Sequence, residues 1–111
     1  MIRILPLQLD REMFCLYEDE KLLAKCFYSS ETGEIFSIED VDPVAAKPWH
    51  VAILKATMSS MDYAGVTLAW SRNEDLFDLL KILRFNADGS GRMTVPLAGY
   101  FDTACECGNH D

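Results

Sequence analysis

The feature that most constrains the fold is a change of hydrophobic period near the middle of the chain. Up to Val41, apolar residues come in short runs separated by turn residues, a pattern typical of β-strands. From Trp49 to about Tyr63, the apolar residues instead recur at i, i+3, i+7 and i+10, which is one face of an α-helix: Val51, Leu54, Met58 and Met61. Gly65 predicts the end of this helix. An amphipathic helix that follows several strands has to bury its apolar face against a sheet.

Four strands are predicted before this helix: residues 2–9, 13–18, 22–28 and 34–41. Pro6 in the first run is typical of an edge strand. Asp19 and Glu20 predict a tight turn between the second and third runs, and residues 29–33 predict the next turn. Because strands joined by such short turns pair with their neighbours, we expect an antiparallel meander.

After the helix come a strand, a second helix and a last strand. Residues 66–70 (VTLAW) are almost wholly apolar, which predicts a central strand covered on both faces. Asn73 is the predicted N-cap of the second helix. The apolar face of that helix comprises Leu76, Leu79, Leu80 and Leu83. Residues 86–91 predict a turn, and residues 92–101 predict the last strand, in which Pro96 marks an edge or a bulge.

The predicted order is β-β-β-β-α-β-α-β, an α+β arrangement around a mixed, mostly antiparallel sheet. A right-handed crossover places strand 66–70 parallel to strand 34–41. The loop at residues 42–49 then lies at the carboxyl end of a strand beside a helix N-terminus, where α/β folds tend to bind ligands. We expect the 111 residues to form a single domain, with residues 102–111 as a polar C-terminal tail.

The charge balance excludes one class of partner. Ten Lys and Arg residues against eighteen Asp and Glu residues give a net charge of −8, which repels polyanions, so we do not expect DNA or RNA as a partner. We also expect no contact with a membrane, because the sequence has no apolar run of about 18 residues and its start does not resemble a secretory signal. The cytoplasm is the expected location.

The four cysteines divide into two pairs. Cys15 and Cys26 lie within apolar runs, where cysteine usually behaves as a small buried apolar residue. Cys105, Cys107 and His110 offer three metal-binding groups close together, but a closed zinc site needs four ligands. We therefore interpret these three residues as part of the polar tail and predict no metal site.

From about Glu20 to Phe101, the order and spacing of the elements resemble the GNAT superfamily of N-acetyltransferases, which move an acetyl group from acetyl-coenzyme A to an amine. The resemblance is carried by the segments EKLLAKCFYSSETGEIFSIEDVDP, HVAILKATMSSMDYAG and VTLAWSRNEDLFDLLKILRF. It implies a GNAT-like fold that binds acetyl-coenzyme A and acts on an amine. The first two helices of the family are missing, since only about four residues separate the first two predicted strands.

The segment that aligns with the phosphate-binding loop of the family differs from it. Many members have Arg/Gln-x-x-Gly-x-Gly/Ala shortly after Val-x-Pro, which here begins at Val41. The six motif positions hold Ala46, Lys47, Pro48, Trp49, His50 and Val51. Proline removes one N–H donor, and tryptophan and valine replace glycines that allow close approach. The resemblance implies that the coenzyme site comprises Val41, Lys47, Trp49, His50, Val51 and Asn73.

Trp49 and His50 have two interpretations. They form either a rebuilt coenzyme contact, with the indole stacking and the imidazole donating to a phosphate, or a structural helix entry in which Trp49 packs on the sheet and His50 is exposed. We favour the second interpretation, because this segment lacks the backbone donors that normally hold a phosphate. Trp49→Gly is then expected to cost about 3–5 kcal/mol, as for a buried tryptophan.

The residues that would catalyse transfer are not evident from the sequence. Glu39, Asp40 and Asp42 lie where a base of the family would act, but acidic runs at strand ends are usually solvated turns. Leu80 stands where many members carry a tyrosine that protonates the departing thiolate, and leucine cannot donate a proton. Tyr63 and Tyr100 are the alternative acids, or packing residues.

Two functions are consistent with these observations. The first is a GNAT-like protein with weak or lost transfer of acetyl from acetyl-coenzyme A to an amine. The second is a non-catalytic module on the same fold, in which the splayed strands and the 42–49 loop bind a peptide, a partner protein or a second copy of the chain as a homodimer.

Overall fold

The computed structural model describes residues 1–8 and 12–101. Its strands are β1 (Ile2–Gln8), β2 (Glu12–Glu18), β3 (Lys21–Tyr28), β4 (Ile35–Asp40), β5 (Leu68–Ser71), β6 (Asn86–Ala87) and β7 (Met93–Pro96). Its helices are α1 (Pro43–Ala46), α2 (His50–Tyr63) and α3 (Phe77–Ile82), with 3-10 turns at Lys47–Trp49 and Glu74–Leu76. No helix in this part of the chain is long and apolar enough to cross a membrane. The predicted α+β class and the order of the main elements are confirmed.

The first sheet is the predicted meander. Strands β1, β2, β3 and β4 pair in sequence order, and each pair is antiparallel. Strand β1 lies at the edge, as its Pro6 predicts. In β4, Ile35 lies opposite Tyr28 but Ser37 lies opposite Phe27, so Phe36 is an extra residue that forms a β-bulge.

The second sheet has the order β5-β7-β6 and is also antiparallel. The short strand β6 lies within the predicted 86–91 turn, and β7 ends at Pro96 rather than at residue 101. The prediction that the 66–70 strand is covered on both faces is wrong. Ala69 and Ser71 are buried, whereas Leu68 is exposed and the guanidinium groups of Arg72 and Arg92 cover the half-buried ring of Trp70.

The core is built from the first sheet, the helices and the buried side of the second sheet. Leu54, Met58 and Met61 of the predicted α2 face are fully buried, and Val51 is partly buried against the core. Ile53 and Thr57 widen this face, and the Thr57 hydroxyl donates to the carbonyl of Ile53, so that its burial leaves no polar atom unpaired. In and beside α3, Leu76, Leu80 and Leu83 are buried.

Cys15 and Cys26 are buried, as predicted, and both are free thiols. Burial raises the pKa of the Cys26 thiol to about 11, which makes it a poor nucleophile at neutral pH.

The predicted 42–49 loop is helical, which corrects the sequence interpretation. Asp42 caps α1 by accepting a hydrogen bond from the N–H of Ala45 (3.2 Å), and the 3-10 turn leads directly into α2. Pro43 and Pro48 suggest a loop, but each lies in the first turn of a short helix, where the missing N–H costs nothing.

In the described part of the chain, the two sheets meet at one parallel bridge, between Glu34 and Trp70. There the N–H of Trp70 donates to the carbonyl of Gly33 (2.9 Å). Gly33 has φ +82°, and a Cβ atom at this residue would lie 2.2 Å from the carbonyl oxygen of Leu68. Glycine is therefore required here, because both the backbone conformation and the close approach of β5 exclude a side chain.

Candidate functional site

Among the described residues, β4 and β5 pair only at the Glu34–Trp70 bridge and not beyond it. We call the space beside the unpaired edge of β4, next to the start of α2, the cleft. The carbonyl of Ile35 accepts a hydrogen bond from the Oγ of Ser71 (2.7 Å), and the carbonyl of Phe36 accepts one from the Nδ2 of Asn73 (3.0 Å). Both donors come shortly after Trp70 in the chain. These two side chains take the place of a strand partner at the bulge. Farther along β4, no strand of the described residues pairs with its outer edge.

The backbone groups at this open edge can be assigned from the β3–β4 pairing. The N–H of Val41 donates to the carbonyl of Leu23 (2.8 Å), so Val41 faces β3. Because the hydrogen-bonding direction alternates along a strand, Ile38 and Asp40 turn their N–H and C=O groups toward the cleft. An extended ligand with amide groups fits such an edge.

The start of α2 lies beside the end of β4, and a side-chain pair joins them. The Nε2 atom of His50 lies 2.8 Å from Oδ1 of Asp40, and both side chains are about three-quarters buried, with 24% and 23% exposed. This contact fixes the orientation of the imidazole at the N-terminus of a 14-residue helix.

Two backbone donors at this helix start are already occupied, and a third position has none. The N–H of His50 donates to the carbonyl of Lys47, the N–H of Lys47 donates to the carbonyl of Pro43, and Pro48 has no N–H. A helix that binds phosphate through its first turn needs free N–H groups that point outward. The preceding helical turns remove part of that donor set.

The six predicted coenzyme-site residues fall in two parts of the fold: Val41, Lys47, Trp49, His50 and Val51 near the start of α2, and Asn73 after β5. Val41 and Lys47 are exposed, and the side chain of His50 is about three-quarters buried. Asn73 is the predicted N-cap, but it caps the 3-10 turn by accepting from the N–H of Asp75 (3.0 Å).

The structure contradicts the interpretation of Trp49 as a buried residue at the helix entry. Its side chain is 39% exposed, and the position under the helix entry is filled by Ala46, which is fully buried. Because residues 43–49 are helical, they turn Ala46 inward and Trp49 outward. The expected loss of 3–5 kcal/mol for Trp49→Gly is therefore too large.

The three candidate carboxylates have separate environments. Asp40 contacts His50, and Glu39 is exposed. Asp42 accepts from the ammonium of Lys21 (2.8 Å), and this hydrogen bond lowers the pKa of Asp42, which makes it a weak base.

No candidate acid faces the cleft in a form ready to donate. Leu80 is fully buried, and the hydroxyl of buried Tyr100 donates to the carbonyl of Leu83 (2.9 Å). Tyr63 is 97% exposed at the far end of α2.

Sequence reasoning missed three contributors: the pairing of Asp40 with His50, the role of Ser71, and the close contact at Gly33. None belongs to a periodic pattern or a short motif. Cys105, Cys107 and His110 lie outside the described residues, and within the described part no three side chains are grouped to hold a metal.

Comparisons with known proteins identify the fold. No family model matches the sequence, and no curated protein matches it. Among solved structures, an N-acetyltransferase from Staphylococcus aureus Mu50 is similar with a TM-score of 0.62 at 15% identity, over 78% of this chain and 68% of that one. The ribosomal-protein-S18-alanine N-acetyltransferase from Escherichia coli is similar with a TM-score of 0.61 at 20% identity, over 81% and 72% of the two chains. The chain therefore has a GNAT-like fold, strongly diverged in sequence.

Proposed function

We propose that this protein binds acetyl-coenzyme A weakly in the cleft between β4 and β5, and that its transfer of acetyl to an amine is weak or lost. The observation that carries the proposal is the combination of an open β4 edge with a helix start at which the N–H groups of Lys47 and His50 already have backbone partners. The edge favours binding, whereas the helix start weakens it. In this proposal the protein acts in the cytoplasm.

Binding is supported by chemistry on both sides of the cleft. The pantetheine arm of coenzyme A carries amide groups, which can pair with the outward N–H and C=O groups of Ile38 and Asp40 as an added strand does. Near the start of α2, the ammonium of Lys47 and the imidazole of His50 supply cationic or donor groups for phosphate, beside the positive end of the helix dipole.

Two observations support a weak or lost reaction. A phosphate cannot be bound by the N–H groups of Lys47 and His50, because both already donate to backbone carbonyls. Pro48 has no N–H to offer. Neither of two candidate acids can protonate the departing coenzyme thiolate. Leu80 has no proton to donate, and the hydroxyl of Tyr100 already donates to a backbone carbonyl.

The test is a titration with acetyl-coenzyme A that follows the thermal unfolding midpoint. Because the proposed binding is weak, we expect the midpoint to rise only at millimolar coenzyme. Stabilisation reaches about 2.7 kcal/mol when the coenzyme concentration is a hundred times its dissociation constant. Lys47→Gln should reduce the rise, and Lys55→Gln, which removes an exposed lysine from the middle of α2, serves as the matched control. An unchanged midpoint at millimolar coenzyme would contradict the proposal, and so would equal effects of the two variants.

The second candidate function is a non-catalytic interaction module, favoured by exposed apolar side chains near the cleft. Phe36, Val41 and Val44 are 42%, 55% and 87% exposed, and Trp49 is 39% exposed. Side chains of this kind in a partner-binding surface become buried on association. Light scattering over a range of concentrations should then detect a homodimer that Val44→Glu weakens, and a monomer at every concentration would count against self-association.

A further inference from the structure

A cavity lies at the C-terminal end of α2, opposite the helix start that adjoins the cleft. Its volume is about 390 Å³, within the range of small-molecule sites. The β3–β4 turn contributes residues 30–32 to its wall, and the end of α2 with the start of β5 contributes Gly65 and Leu68. Trp70 forms a further part of the wall and is held in place, since its indole N–H donates to the carbonyl of Thr32 (2.9 Å).

The side chains that line this cavity carry a negative charge. The guanidinium groups of Arg72 and Arg92 lie over the ring of Trp70, behind this lining, and that of Arg92 is paired with Asp88. Among the described residues that line it, Glu31 is the only charged one. Its carboxylate forms no ion pair with any residue in the described part of the chain. The N–H of Glu31 donates to the hydroxyl of Ser29 (3.2 Å), which fixes the backbone that carries this carboxylate.

The end of α2 adds to the negative potential. The helix closes on Gly65 with a Schellman motif, in which the N–H of Val66 donates to the carbonyl of Met61 and the N–H of Gly65 donates to that of Asp62. The last turn contains no basic residue, so no side chain within it compensates the negative end of the helix dipole. Ala64 and Gly65 of this helix end line the cavity directly.

We propose that this cavity binds the protonated amino group of a short primary alkylamine. An ammonium group has three donors, which suit the Glu31 carboxylate, a backbone carbonyl at the end of α2 and a threonine hydroxyl. The alkyl chain lies against Val66 and Leu68, which are apolar parts of the wall. The net charge of −8 attracts such a cation from solution. This site is separate from the coenzyme cleft and does not depend on coenzyme binding.

The test is a titration with n-butylammonium chloride at neutral pH, followed by ¹H–¹⁵N NMR of the full chain. The expected result is a saturable shift of the amide signals of residues 64–68. Glu31→Gln should weaken binding about tenfold, because it replaces a charge-assisted hydrogen bond by a neutral one. Glu20→Gln, an equal change of charge at the exposed β2–β3 turn, should leave the affinity unchanged, and 1-butanol should cause no saturable shift.

Two results would overturn the inference: shifts of residues 64–68 that do not saturate, or equal weakening by Glu31→Gln and Glu20→Gln. The second result would mean that the amine responds only to the overall charge. Because acetyl-coenzyme A is absent from this experiment, its outcome is independent of the thermal titration that tests the proposed function.

Discussion

Replacing Gly33 with alanine is expected to destabilise the protein by about 2–5 kcal/mol. Gly33 has φ +82°, and this left-handed conformation costs other residues about 1–2 kcal/mol. The added Cβ atom would also lie 2.2 Å from the carbonyl oxygen of Leu68, so the turn has to move away from β5. Forced displacement of packed groups typically costs about 1–3 kcal/mol.

The assay is urea unfolding, with the free energy of unfolding obtained by linear extrapolation. Gly89→Ala is the matched control, because Gly89 has φ +86° and its added Cβ would meet no atom within 4 Å. In this control the free energy of unfolding should fall only by the cost of the left-handed conformation, about 1–2 kcal/mol. If both variants lose the same free energy, the contact between Gly33 and Leu68 does not constrain the junction of the sheets, and the reasoning fails.

Three further variants test other contacts. Ser71→Ala should cost about 1–3 kcal/mol in a urea melt, because it leaves a buried β4 carbonyl without its donor, and a loss below about 0.5 kcal/mol would contradict this role. Trp49→Ala should cost about 1–2 kcal/mol in the same assay, since the side chain is 39% exposed, and a larger loss would show that it packs more closely. Hydrogen bonds from Ser90 and Arg92 lower the pKa of Asp88, so their stabilising effect is present above about pH 4 and is lost as the pH falls below it. The difference in stability between the wild type and Asp88→Asn should therefore shrink between pH 7 and pH 3, and a difference that is constant over this range would contradict the prediction.

The parts of the fold that sequence predicted are those determined by nearby residues. The meander follows from apolar runs separated by short turns, and the buried face of α2 follows from its helical period. The capping role of Asn73 follows from its side-chain chemistry. Each of these features needs information from only a few neighbouring residues.

The cleft was less predictable because its parts come from distant positions. The bulge at Phe36 depends on how β4 pairs with β3, and the pairing of Asp40 with His50 depends on the helical path between them. Residues 43–49 were misinterpreted because prolines at a helix start resemble prolines in a loop. That error in turn placed Trp49 inside the protein.

The narrow junction between the sheets implies an order of folding. The meander closes through short turns, whereas the hydrogen bond from Ser71 to Ile35 joins residues 36 positions apart. Because closing a longer loop costs more entropy, we expect the meander to form first and β5 to dock afterwards. The cleft would then be completed last and opened first, and native-state hydrogen exchange should reveal this as weaker protection at the Trp70 amide than at amides of β2 and β3.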